Sequence, residues 1–136
     1  MSQRVLIVDD NVDAADALGR LIHSCGYDVK VVYNGQDAIA ETATFQPDMV
    51  LLDIGMPGLD GYETVREIRQ RRADVHLIVV AVTAWSRDDD KRRAYDSGFD
   101  LHVAKPMSKK MLDELLAILD PTHPQGTEQQ TAPAIR

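Results

Sequence analysis

Three carboxylates, one ammonium and one hydroxyl in this chain stand where apolar runs stop. Asp9 and Asp10 follow Val5-Leu6-Ile7-Val8, Asp53 follows Val50-Leu51-Leu52, Thr83 ends the run from Leu77 to Val82, and Lys105 follows Leu101, Val103 and Ala104. If these ends converge, the three carboxylates repel one another and cannot all ionise without a counter-charge. A hard divalent cation relieves that repulsion. Mg²⁺ fits, because it takes a few carboxylates plus waters and bridges readily to phosphoryl oxygens. Lys105 adds a compact point charge. A carboxylate so placed is equipped to attack a phosphoryl group and become an acyl phosphate. Metal and lysine would stabilise the equatorial oxygens, and Thr83 could donate a hydrogen bond to one of them. The chain shows no Ser-His pair, Gly-rich phosphate loop or cysteine nucleophile for another chemistry.

The elements that must position these groups alternate along the chain. Val5 to Val8, then Val29 to Val32, Met49 to Leu52, Leu77 to Val82 and Leu101 to Ala104 read as strands, the first, third and fourth of them continuous apolar runs as in strands buried on both faces. Between them lie helical patterns. Asn11 caps a helix with Val12, Ala15, Leu18, Leu21, Ile22 and Cys25 at helical spacing, closed by Gly26. Cys25 is expected as a small buried hydrophobe in that helix. Ala38, Ile39, Thr42 and Phe45 mark a second helix, and Tyr62, Val65 and Ile68 a third with a basic end. The fourth, residues 86–97, has a thin apolar face of Ala94 and Tyr95, and its charge run from Asp88 to Arg93 reads as a solvated face. Met111, Leu112, Leu115, Leu116 and Leu119 give an amphipathic last helix. Five strands alternating with five helices call for an α/β fold with a parallel sheet covered on both faces. The run from Leu77 to Val82 is the most apolar and is expected at the centre. Ligands in such sheets bind at the carboxyl ends of the strands.

With 136 residues the chain has room for one domain with a proper core. A net charge of −7 argues against a nucleic-acid grip made by this chain alone. No apolar run approaches the length of a membrane span, and no signal peptide precedes the first strand, so a cytoplasmic location is expected. One cysteine excludes an internal disulfide. Residues 1–120 are expected to form the domain, and 121–136, rich in Pro, Gln and Thr, a flexible tail or linker. His23, His76 and His123 show no metal-ligand pattern and read as incidental.

The Asp9-Asp10 pair, Asp53 with Met56-Pro57 and Gly61 downstream, Thr83-Ala84 and Lys105-Pro106 together resemble a receiver domain of the response-regulator family, the partners of sensor histidine kinases. The resemblance covers residues 4 to 119. It implies a flavodoxin-like, doubly wound (βα)5 fold with strand order 2-1-3-4-5. It implies Asp53 as phosphoacceptor, Asp10 as direct ligand of Mg²⁺, Asp9 acting through water or from behind, and the backbone carbonyl of Gly55 as a further ligand. Thr83 would move toward the phosphoryl group and Lys105 would pair with it, aimed by a cis bond to Pro106. The function implied is a phosphorylation-dependent switch that is not an enzyme on outside substrates. Its phosphodonor would be a histidine kinase or a histidine phosphotransfer protein. Its downstream protein target would use the face of the fourth helix, fifth strand and fifth helix.

Three positions depart from the common pattern. His102 stands where many members carry a rotating Tyr or Phe; it either swings as a switch, with pH-sensitive charge, or is a partly exposed strand-end histidine without that role. Gly55 leaves the position beside the acceptor without a side chain, and Trp85 lies two residues past Thr83; both are expected to set the lifetime of the phosphoryl group. The stretch from Gly98 to His102 and Trp85 lean toward receivers of hybrid kinases, whereas Met1 close to the first strand suits a free-standing protein. Alternatives are a phosphorelay intermediate or phosphate sink without its own output, a small Mg²⁺-dependent phosphatase or phosphotransferase, a flavodoxin-like cofactor binder, and a degenerate receiver. Short loops argue against the second, the missing phosphate loop against the third, and the intact Asp53, Thr83 and Lys105 against the last.

Overall fold

The computed structural model describes residues 3–55, 60–72, 76–84, 88–105 and 107–123, without the side chains of residues 88 and 89. The expectations attached to Met56-Pro57, Trp85, the Lys105-Pro106 bond and residues 124–136 lie outside the described residues.

Strands and helices alternate along the chain. The order is β1 (Arg4–Val8), α1 (Val12–Ser24), β2 (Asp28–Val32), α2 (Gly35–Phe45), β3 (Met49–Asp53), α3 (Gly61–Arg71), β4 (Ile78–Thr83), α4 (Asp88–Ser97), β5 (Leu101–Ala104) and α5 (Lys109–Leu119). The strands form one parallel sheet in the order β2-β1-β3-β4-β5. This is the flavodoxin-like arrangement. The middle place belongs to β3, not to the more apolar β4, which lies between β3 and β5. All five residues of β3 are buried.

Period-two alternation explains the continuous apolar runs. In β1, Leu6 and Val8 pack with Val65 and Ile68 of α3 and Ala94 of α4, whereas Val5 and Ile7 pack with Ala15 and Ile22 of α1 and Leu112, Leu115 and Leu116 of α5. The sheet therefore needs apolar side chains on both faces. α2, α3 and α4 cover one and α1 and α5 the other.

Local chemistry sets the helix starts. Asn11, Asn34, Asp60 and Ser108 each accept a backbone N–H from three residues on, as N-caps do. Gly26 follows α1 with φ of 100°, a conformation that side-chain-bearing residues rarely adopt. Cys25 is the C-cap of α1 and is exposed, contrary to the expectation of a buried position; the helix buries Ala15, Gly19 and Ile22 and leaves Leu21 and Val12 outside. In α4 the apolar anchor is Ala94, and Tyr95 faces solvent.

Candidate functional site

The carboxyl ends of β1, β3, β4 and β5 bring most of the expected groups together. Asp9 follows β1, Asp53 ends β3, and Lys105 follows β5. Carboxylate oxygens of Asp9, Asp10 and Asp53 lie within 4.8 Å of one another. The Lys105 ammonium donates to Asp53 Oδ2 at 3.0 Å and to Asp9 Oδ2 at 3.3 Å. Asp53 is only 8 % exposed, so its charge sits in a partly desolvated place and the pairing is worth more than at a free surface. Burial pulls the Lys105 pKa down, but hydrogen bonds and attraction from Asp53 and Asp9 outweigh it and hold the value above the ordinary one.

Backbone groups fix the carboxylates. The N–H of Gly55 donates to Asp53 Oδ1 at 2.9 Å, and the N–H of Asn11 donates to Asp9 Oδ1 at 3.0 Å. Both oxygens of Asp9 and both of Asp53 are thus held, while the Asp10 side chain is exposed. The donor set is all carboxylate oxygen, which suits a hard divalent cation such as Mg²⁺. Gly55 itself is exposed, in the turn directly after Ile54.

Thr83 is buried at the end of β4. Its carbonyl accepts the N–H of Lys105 at 2.8 Å, so the strand ladder fixes the hydroxyl-bearing and ammonium-bearing residues relative to each other. His102 lies opposite Ala81 in the sheet, on the face covered by α2, α3 and α4. It is 3 % exposed, more enclosed than a strand-end residue was expected to be.

Sequence reasoning missed several positioning residues. A Cβ at Gly61 would lie 2.4 Å from the Cα of Ile54. The start of α3 thus packs directly on the residue after Asp53. Arg69 donates to the carbonyls of Gly98 and Leu77 and to Asp100 Oδ2, tying α3 to the ends of α4 and β4. Arg93 places its guanidinium 4.0 Å from the centre of the Tyr62 ring, whose edge meets Phe99. His123, read as incidental, is buried and hydrogen-bonded. None of these pairings has a spacing signal, because each joins residues of different elements or of the loops between them.

Known structures share this fold. The chain is similar to the signal receiver domain of a DNA-binding response regulator from Colwellia psychrerythraea 34H, with 29% identity, TM-score 0.79, and coverage of 87% of this chain and 98% of that one. It is also similar to the receiver domain of the Saccharomyces cerevisiae response regulator Ssk1, solved with the histidine phosphotransfer protein Ypd1, at 28% identity and TM-score 0.77, over 85% of this chain and 87% of that one. The Vibrio cholerae chemotaxis protein CheY4 shares the fold, with 22% identity, TM-score 0.81, and coverage of 87% and 98%. No helix among the described residues is long and apolar enough to cross a membrane. A family model for the response regulator receiver domain matches residues 5–117, and with that span and these neighbours the chain belongs to the response regulator receiver domain family.

Proposed function

We propose that this receiver accepts a phosphoryl group on Asp53 and changes its partner-binding face as a result. The observation that supports the reading best is the Asp53 carboxylate, enclosed, clustered with those of Asp9 and Asp10, and bridged to Asp9 by the Lys105 ammonium. In the reaction a carboxylate oxygen of Asp53 attacks phosphorus, the new O–P bond forms, and the P–N bond of a phosphohistidine breaks. The electron pair of that bond leaves with the donor imidazole. Asp10 and Asp53 would hold Mg²⁺ with the carbonyl of Gly55, and Asp9 would support them; the ion would neutralise charge on the phosphoryl oxygens. Lys105 keeps a positive charge where that group arrives, and its bond to Asp9 keeps the ammonium oriented.

The donor is a sensor histidine kinase or a histidine phosphotransfer protein; a yeast relative was solved with a protein of the latter kind. Thr83 and His102 are the moving parts, and α4, β5 and α5 form the face that a downstream protein reads. His102 belongs to the buried layer beneath α4, where a change of rotamer would be felt by that helix. Its test is the His102→Ala variant: phosphoryl uptake persists, and the amide shift changes in α4 that accompany uptake shrink. The cytoplasm is the compartment that such donors share.

Incubation with acetyl phosphate and Mg²⁺, followed by intact mass, tests the main reading. One added phosphoryl group, missing in Asp53→Asn, is expected. No adduct, together with no change on titration with beryllofluoride, would overturn the switch.

A further inference from the structure

Beyond α5 the chain does not leave the domain at once. Residues 121–123 fold back, with the His123 N–H donating to the Asp120 carbonyl at 2.9 Å and the Thr122 N–H and hydroxyl donating to Asp120 Oδ1 at 3.0 and 2.7 Å. The imidazole of His123 is buried. Its Nδ1 is 3.0 Å from the Tyr27 hydroxyl, between α1 and β2, and its Nε2 is 3.0 Å from Asp113 Oδ1 on α5. Asp113 is buried too, and its other oxygen accepts from Lys109 at 3.1 Å. The Tyr27 hydroxyl also reaches Asp120 Oδ2 at 3.3 Å. Burying an imidazole, a phenol and a carboxylate is unfavourable unless each is hydrogen-bonded, and here each one is.

We propose that Tyr27, Asp113 and Asp120 form an intramolecular docking site whose occupant is the segment Pro121 to His123, with the His123 ring as the plug. The chemistry of the site matches an imidazole. Asp113 offers an acceptor to Nε2–H, and Tyr27 offers a hydroxyl that can either donate to Nδ1 or accept from Nδ1–H. The single hydrogen of the Tyr27 hydroxyl goes to His123 or to Asp120 but not to both. With a hydrogen on each ring nitrogen, His123 donates at both, and Tyr27 turns its hydrogen to Asp120. Both carboxylates are then satisfied by one continuous chain of hydrogen bonds. The docked segment joins three parts of the fold: the α1–β2 corner, the body of α5 and its end. The chain is therefore fastened to α5 by side chains as far as residue 123.

Hydrogen exchange measured by mass spectrometry on the full chain tests this, in wild type, His123→Ala and Tyr27→Phe. Tyr27→Phe keeps the ring and removes one oxygen, so the domain stays folded. The docked segment predicts exchange at the Thr122 and His123 amides at least tenfold slower than in an unstructured peptide. It predicts that His123→Ala abolishes this protection and that Tyr27→Phe reduces it, while β1 and β3 stay unchanged. Wild-type exchange as fast as in a free peptide would overturn the proposal, as would equal protection in all three proteins. Acceleration throughout β1 and β3 in both variants would also overturn it, since the cluster would then be part of the general core.

Discussion

Lys105 reaches across the end of β4 to meet Asp53: the ammonium that follows β5 lies 3.0 Å from a carboxylate oxygen at the end of β3. The two residues flank Thr83 in the order of strands, and the backbone bond from Lys105 to the Thr83 carbonyl holds that spacing. The strand ladder fixes the backbone that carries the ammonium, so the Asp53 carboxylate meets a positive charge already in place.

Lys105→Met is expected to slow phosphoryl uptake from acetyl phosphate by about 100- to 1,000-fold, the range for losing one preorganised donor. The folded domain should persist, as judged by circular dichroism. Because the folded-state pKa of Lys105 is raised, its contribution to stability is complete below the unfolded value and is lost only as pH climbs through the folded one. Denaturation curves from pH 6 to 9 should therefore show no slope from this group.

Asp10→Ala is expected to weaken Mg²⁺ binding by at least about tenfold, since even a residue that only supports a metal ligand is worth that much. Asp9, Asp10 and Asp53 share one acidic cluster, and the chain has one tryptophan, Trp85, two residues past Thr83. Metal-dependent quenching of its fluorescence reports the binding. Unchanged quenching in the variant would remove Asp10 from the ligand set.

Gly61→Ala is expected to cost about 1–3 kcal/mol, because the added methyl meets backbone at Ile54 and not a flexible side-chain end. Urea denaturation measures the loss. Ile54 follows Asp53 directly, so the same variant should also slow phosphoryl uptake even where it remains fully folded.

Tyr27 should titrate late. Burial, then the charge of Asp120, pushes its hydroxyl up to about 12. The neutral phenol is favoured in the folded protein, so its contribution to stability is intact below pH 10 and falls as pH rises from there toward 12. An ultraviolet titration should show one tyrosine ionising near 12, and Tyr27→Phe should remove that step.

The gathering of these side chains was legible in the sequence because parallel sheets convert chain order into spatial order. Once Asp9, Asp10, Asp53, Thr83 and Lys105 were placed at strand ends, the fold had little freedom to separate them. The supporting layer was hidden for the opposite reason. Arg69 with Asp100, and Tyr27 with His123, meet only after helices have packed on the sheet, and no local periodicity encodes those meetings. Cys25 was misplaced by one residue's worth of geometry: helical spacing puts it on the apolar stripe, but the helix ends at Ser24 and the C-cap turns outward. The central strand was misjudged because apolarity measures burial on both faces and does not rank the interior strands.

The central claim is that Asp53 itself becomes the acyl phosphate. Borohydride reduction of the phosphorylated protein converts an aspartyl phosphate to homoserine, and peptide mass spectrometry then locates it. Homoserine at position 53 is the predicted result. Homoserine at position 9 or 10 with an intact Asp53, or none after confirmed phosphoryl uptake, would contradict the account.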